Sequence, residues 1–207
     1  MKVLPTPPIL DDGQVRLRLA GIDDVPAIVR YYSDNRAALK PFEPNRGDAF
    51  YTEPFWQARV VSNRSQFDQG TGACLFLFEP DDKTVVGTIN ISNVVGYPLH
   101  GALLGYSLAR SHWGRGRMHQ ALTMALGWAF DHFNLHRIAA NHLPDNERSA
   151  RVLASLGFVR EGYAANYLLI DGAWRDHVLN ALTAKQWQAR DYTRELVING
   201  TGMPASD

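Results

Sequence analysis

Residues 103 to 126 constrain the fold of this chain more than any other stretch. Leu103 to Ala109 is a short apolar run holding one tyrosine, the pattern of a buried strand. Ser111 to Gly116 follows as a tight loop with two glycines separated by one residue. From Arg117 the apolar residues Met118, Leu122, Ala125, Leu126 and Ala129 recur at helical spacing. A strand that feeds a glycine loop and then a helix suits an anion. The helix start leaves N–H groups unpaired and carries partial positive charge. Gly114 and Gly116 lack a Cβ, so an oxyanion can approach the backbone. Arg115 and Arg117 add full charges beside it. The loop is not a nucleotide P-loop, because no Gly-Lys-Ser/Thr ending is present. A dinucleotide fingerprint fails as well, since His119 stands where its third glycine belongs. Two readings remain: a pyrophosphate loop of another kind, or a turn that binds nothing.

The 207 residues suffice for one good-sized domain. The 21 basic residues balance 21 acidic ones, so no direct general nucleic-acid binding is expected. Cys74 is the single cysteine, which rules out an intramolecular disulfide and a Cys-based zinc site. The histidines form no HExxH pattern, and no metal is expected. The start has no signal-peptide core and no run approaches roughly 18 apolar residues. A cytoplasmic protein with no membrane partner is expected, as a monomer or homodimer.

Along the chain, residues 1–14 read as an irregular lead-in rich in proline. Val15 to Leu19 alternates like a half-buried strand. Asp23 is placed to cap a helix from Asp24 to about Asn35, with Val25, Ile28, Val29 and Tyr32 inward. Lys40-Pro41-Phe42-Glu43-Pro44 is a rigid loop that either walls a pocket or merely connects elements. A second helix is predicted from about Pro54 to Gln69, with Phe55, Ala58, Val61 and Phe67 at loosely helical spacing. Ala73 to Phe78 and Thr84 to Ser92 read as a hairpin, and the strand at 103–109 extends it antiparallel. Arg137 to His142 is a short strand. Asp145 or Asn146 caps the next helix, which stops at Gly157. Phe158 to Glu161, Tyr167 to Ile170 and Trp174 to Leu182 complete the strands. A short helix and a polar tail are expected after residue 185. One domain over 15–187 with a tail from 188 to 207 is expected, in the α/β (α+β) class with a mixed sheet.

Five segments stand in an order that carries a resemblance: Leu104-Gly105-Tyr106-Ser107-Leu108, Trp113-Gly114-Arg115-Gly116, Asn146-Glu147-Arg148-Ser149, Leu156 to Gly162, and Tyr167 to Val178. Together they resemble the GCN5-related N-acetyltransferase (GNAT) superfamily. The Tyr-Leu-Leu-Ile-Asp-Gly and Trp-Arg-Asp-His segments look like its ribosomal-protein-alanine N-acetyltransferases, RimJ-like more than RimL-like. The resemblance covers roughly residues 14 to 187. It implies a mostly antiparallel, twisted sheet splayed at its centre, with helices flanking it and acetyl-CoA in the splay. Tyr106, Ser107 and Leu108 would hold the pantetheine arm and thioester. Trp113, Gly114, Arg115, Gly116, Arg117 and Met118 would hold the pyrophosphate, and Asn146 and Ser149 would also touch the cofactor. Trp113 and Met118 depart from the superfamily's usual Gln or Arg and Gly or Ala. The acceptor implied is the N-terminal α-amine of a protein, a ribosomal protein starting with Ala or Ser. A small-molecule amine acceptor and a non-catalytic acetyl-CoA sensor are the alternatives.

Acetyl transfer needs a neutral amine, a donor for the oxyanion and a proton for the leaving thiolate. A peptide α-amine has a pKa of about 7.7–8, against about 10.4 for lysine, so a weak base suffices. A backbone N–H within 106–108 is the expected oxyanion donor, at a break in the antiparallel ladder. Ser149 and Tyr167 are the candidate acids, each with a structural alternative: Ser149 bonding its own backbone, Tyr167 as a hairpin-face aromatic. RimL-like proteins imply a glutamate before the final hairpin. Here Ala164-Ala165-Asn166-Tyr167 offers no carboxylate, so that role is not carried over. Glu43, His100 and His142 remain as candidate bases, while His136, His177 and Asp176 suit strand-edge structure. Phe42, Glu43 and Tyr167 are the expected acceptor contacts.

Overall fold

The computed structural model describes residues 6–190. Strand β1 (Ile9–Asp11) lies in what the sequence suggested was an irregular lead-in. It pairs antiparallel with β2 (Arg16–Leu19), whose Arg16 holds Asp11 at 2.8 Å. A single 3-10 turn, Ile22–Asp24, then precedes helix α1 (Val25–Asp34). The helix starts one residue later than expected, and Asp23 does not cap it. Asp24 holds the N-cap position, but its carboxylate turns back to accept from Gly21 N–H and to pair with Arg18 at 2.7 Å. Helix α1 buries Val25, Ile28, Tyr31 and Tyr32. The short helix α2 (Arg36–Leu39) leads into a 3-10 turn at Lys40–Phe42.

Helix α3 (Glu53–Asp68) exists as predicted but turns a different face inward. Trp56, Val60, Asn63 and Phe67 are buried, whereas Phe55 and Val61 are exposed. Full burial of a large apolar side chain stabilises by about 1.5–3 kcal/mol. Trp56, Val60 and Phe67 together outweigh the ~1–3 kcal/mol cost of leaving the Asn63 amide unpaired in the interior. A stripe interrupted by a polar residue was not visible as a stripe.

Strands β3 (Ala73–Phe78), β4 (Val85–Val95) and β5 (Gly101–Leu108) form the antiparallel centre. β4 runs three residues past its expected end. Helix α4 (Arg117–His132) crosses back to β6 (Arg137–His142), followed by α5 (Glu147–Ser155), β7 (Val159–Ile170), β8 (Ala173–Thr183) and α6 (Ala184–Gln188). The expected tail from residue 191 onward lies outside the described residues. Among the described residues, eight strands form one sheet in the order β1-β2-β3-β4-β5-β6-β8-β7. All neighbours are antiparallel except β5 and β6, which run parallel. This is the splayed GNAT-like sheet, with the qualification that the break falls in a parallel pair and not in an antiparallel ladder.

The β5–β6 pairing covers Gly101↔Arg137, Ala102↔Ile138 and Leu103↔Ala139 and then stops. β6 continues against β8 alone, and β5 continues against β4 alone. The gap opens from Leu104 onward, below the glycine loop. β7 is one strand, not two pieces, with register shifts at Arg160/Gly162 and Ala164/Leu168.

Candidate active site

The open edge of β5 sets the site. Ala109 N–H bonds Val86 O on the β4 side. Backbone groups of successive strand residues point to opposite edges, so those of Leu108 and Tyr106 face the gap. The Leu108 carbonyl is used there, accepting from Trp113 Nε1 at 2.8 Å. This leaves the N–H groups of Tyr106 and Leu108, not Ser107, as donors aimed into the cleft. A one-residue alternation of this kind narrows the expected 106–108 range to two positions.

The loop that follows leaves its backbone open, as two residues without a Cβ implied. Gly114 and Gly116 both have φ of +74°, a conformation L side chains rarely adopt. A Cβ built on either would meet nothing within 4 Å, so this face of the backbone is open. Arg115 is exposed, and no ion pair engages it among the described residues. Arg117 is different: its guanidinium donates to Glu79 Oε2 at 2.8 Å. Met118 is buried against the core and lies away from the open face. The residues present therefore fit a phosphate-bearing cofactor, with Arg115 as the free cation.

Ser149 does not bond its own backbone through its hydroxyl. Its Oγ lies 2.7 Å from the Tyr106 hydroxyl, and its N–H donates to Asn146 Oδ1 at 3.2 Å, capping α5. Burial pushes the Tyr106 phenol up to about 12, so it stays protonated, and either hydroxyl of the pair can donate to the other. With Tyr106 donating, the Ser149 proton is free to point into the cleft. Tyr31, which sequence reasoning missed, pairs its hydroxyl with Ser107 Oγ at 2.8 Å. Its sequence signal was only a helical apolar position. Burial raises its pKa too, and that of Tyr32, which removes both as bases.

Two distant segments, the 40–44 loop and the β7–β8 turn, are brought together. Asp171 N–H, at the β7–β8 turn, donates to Glu43 O at 3.1 Å, and Lys40 lies 3.6 Å from the Asp171 carboxylate. Glu43 lines a cavity of about 150 Å³ with Tyr32, Leu39, Arg46 and Tyr51. Burial raises its pKa, and Arg46 pulls it back only in part. Arg46 Nε stands 3.8 Å away, beyond hydrogen-bond reach. The Glu43 charge bears on both Tyr31 and Tyr32, adding to the rise that burial gives them. Phe42 meets the glycine loop through Arg148, whose guanidinium carbon sits 3.9 Å from the Trp113 ring centroid and 5.4 Å from that of Phe42. In the sequence Arg148 is only one residue of the Asn146-Glu147-Arg148-Ser149 segment, and nothing there signals this stacking.

Tyr167 is part-exposed on β7, its hydroxyl 3.4 Å from Asn141 Nδ2 and its ring 5.5 Å from that of His177. His142 is buried, with Nδ1 donating to Leu143 O, and His177 is buried with Nδ1 against Arg175 O. His100 lies just before β5, at the end opposite the glycine loop, where its carbonyl accepts from His136 and Arg137. Asp176 accepts from Asn166 N–H and Tyr163. Among the described residues, no cluster of three or more His, Cys, Asp or Glu is placed to hold a metal ion, and no helix is long and apolar enough to cross a membrane.

The Tyr106–Ser149 contact gives a first prediction. Ser149→Ala lowers kcat on the order of 10²-fold, within the range for loss of a positioned proton donor. Tyr106→Phe lowers it less, since the serine remains but loses its fixed orientation. Steady-state kinetics on both variants, with acetyl-CoA KM followed separately, check this; equal effects would contradict it.

Residues 14–159 match the family described as Acetyltransferase (GNAT) domain. The chain is 44% identical over 178 residues to the ribosomal protein uS5-alanine N-acetyltransferase of Escherichia coli (strain K12), covering 86% of this chain and 92% of that protein. The solved ribosomal-protein-S5-alanine acetyltransferase of Vibrio fischeri is 36% identical with a TM-score of 0.83, covering 87% of this chain and 98% of that one. RimJ of Mycobacterium smegmatis, solved in complex with CoA-disulfide, is 32% identical with a TM-score of 0.82, covering 94% and 93%. The open β5 edge and glycine loop are thus set in a sheet shared with solved acetyltransferases, and the chain belongs to the GNAT family of acetyltransferases.

Proposed function

We propose that this enzyme acetylates the N-terminal α-amine of a protein, using acetyl-CoA, and that the acceptor is a ribosomal protein starting with Ala or Ser. The observation that carries this reading is the length of the 44% identity. It spans 86% of the chain, too much to be confined to the cofactor half. When bound, acetyl-CoA supplies an activated acetyl thioester. Gly114, Gly116 and Arg115 hold its diphosphate, with Asn146 and Trp113 beside it. Tyr106 and Leu108 N–H groups stabilise the oxyanion. Ser149, oriented by Tyr106, gives its proton to the leaving sulfur. Glu43 takes the proton from the amine, directly or through a water, and Phe42 and Tyr167 flank the acceptor. A carboxylate raised by burial is better matched to an α-amine near neutral pH than an ordinary one.

A panel of peptides with free N-termini, assayed by thiol release from acetyl-CoA, tests the reading. Peptides starting with Ala or Ser are expected to turn over faster than those starting with bulky residues and faster than free amines. Turnover of small amines alone would move the acceptor to that class. Acetyl-CoA binding with no turnover on any acceptor would leave a sensor.

A further inference from the structure

One carboxylate grips both ends of the glycine loop. Glu79, the residue after β3, has Oε1 2.6 Å from His112 Nε2 and accepts at Oε2 from Arg117 at 2.8 Å. Ser111 Oγ lies 2.9 Å from His112 Nδ1. The tautomer with Nε2–H donating to Glu79 and Nδ1 accepting from Ser111 satisfies both contacts. Burial works against it, but the Arg117 and His112 bonds hold the Glu79 carboxyl below its ordinary range. Glu79 is itself fixed. Its N–H bonds Thr84 O, and Asp81 pins the same turn by accepting from Lys83 and Thr84. The loop's approach is fixed too, since Asn35 Oδ1 accepts from Arg110 N–H at 2.9 Å.

A carboxylate next to an anion site repels the anion, so its presence here calls for an offsetting gain. That gain is order. Two glycines in a short loop lose more backbone freedom on ordering than other residues, and a ligand must supply that ordering unless the fold already has. We propose that Glu79 is a positioning residue for the cofactor: through the His112–Glu79–Arg117 bracket it holds the loop in its binding shape. It also neutralises Arg117, leaving Arg115 as the cation that meets phosphate. This rests on the reading that residues 113–118 hold the diphosphate of acetyl-CoA.

The test measures acetyl-CoA affinity by calorimetry on the full chain. Glu79→Gln is near-isosteric at a part-exposed position, and thermal melting establishes that the variant is folded. Its acetyl-CoA dissociation constant is expected to rise about tenfold, although a repelling charge has been removed, while the acceptor KM stays within twofold. In a His112→Gln, Arg117→Gln background the same change is expected to add nothing, because the bracket is already gone. Unchanged or tighter binding in Glu79→Gln, or losses that simply add in the combined variant, would overturn the proposal. Arg115→Glu is the control. If it weakens binding and Glu79→Gln does not, only the bracket is refuted. If neither weakens binding, the placement of the diphosphate falls along with it.

Discussion

Glu43→Gln lowers kcat on an Ala-starting peptide by about 10²–10⁴-fold, the range for loss of a general base, and at the same time raises thermal stability at neutral pH. Both effects have one cause. Burial raises the Glu43 pKa from its ordinary value of 4.5. A folded-state pKa above the unfolded one means the native state binds the proton more tightly. The stability this gives is fully present below the unfolded value, near 4.5, and is lost as pH rises through the folded value. Glutamine stays neutral and escapes that loss. The melting temperatures of the two proteins should therefore converge below pH 4.5 and separate toward pH 7. Wild-type kcat should fall as pH drops through the raised pKa, and this limb should vanish in the variant. A variant with full activity would remove Glu43 from the chemistry; one with lost activity and lost stability would mark it as structural.

Arg115→Glu weakens acetyl-CoA binding on the order of 10–100-fold. Reversing a unit charge a few ångströms from a phosphate changes the interaction by about 1–4 kcal/mol per charge, depending on how far solvent screens it. Arg115 is exposed, so the lower half of that range applies, and the effect should shrink as salt is raised. Titration at low and high ionic strength measures both quantities. Acceptor KM is expected to stay near the wild-type value, because Phe42, Glu43 and Tyr167 stand on other elements.

The glycine loop and the helices beside it were legible in the sequence because their determinants are local. Gly114 and Gly116 leave the backbone open as the missing Cβ implied, and α4 begins at Arg117 as its apolar spacing predicted. Asn146 caps α5 as a residue of that type does. What stayed hidden depends on long-range pairing. Arg117 looked like a free charge, and only the fold brings Glu79 to it across 38 residues. Tyr31 reads as a core aromatic until β5 places Ser107 beside it. The inward face of α3 was misjudged because Asn63 interrupts it and Phe55 and Val61 offer a competing stripe. The short β1 has only three residues, too few for any periodicity to declare itself.

The three-pair junction between β5 and β6 also bears on how the molecule comes apart. On one side stands a meander of five antiparallel strands, each bonded to its neighbour in sequence; on the other, β6, β7 and β8 make a smaller sheet of their own. The junction rests on three residue pairs, against six or more in each of the β3–β4, β4–β5, β6–β8 and β7–β8 ladders. A molecule lodged between the parts touches both and favours the assembled state by mass action, by about 2.7 kcal/mol when its concentration is a hundred times its dissociation constant. On the proposed function, protein saturated with acetyl-CoA is expected to melt at a higher temperature than the ligand-free protein, which thermal melts with and without acetyl-CoA check.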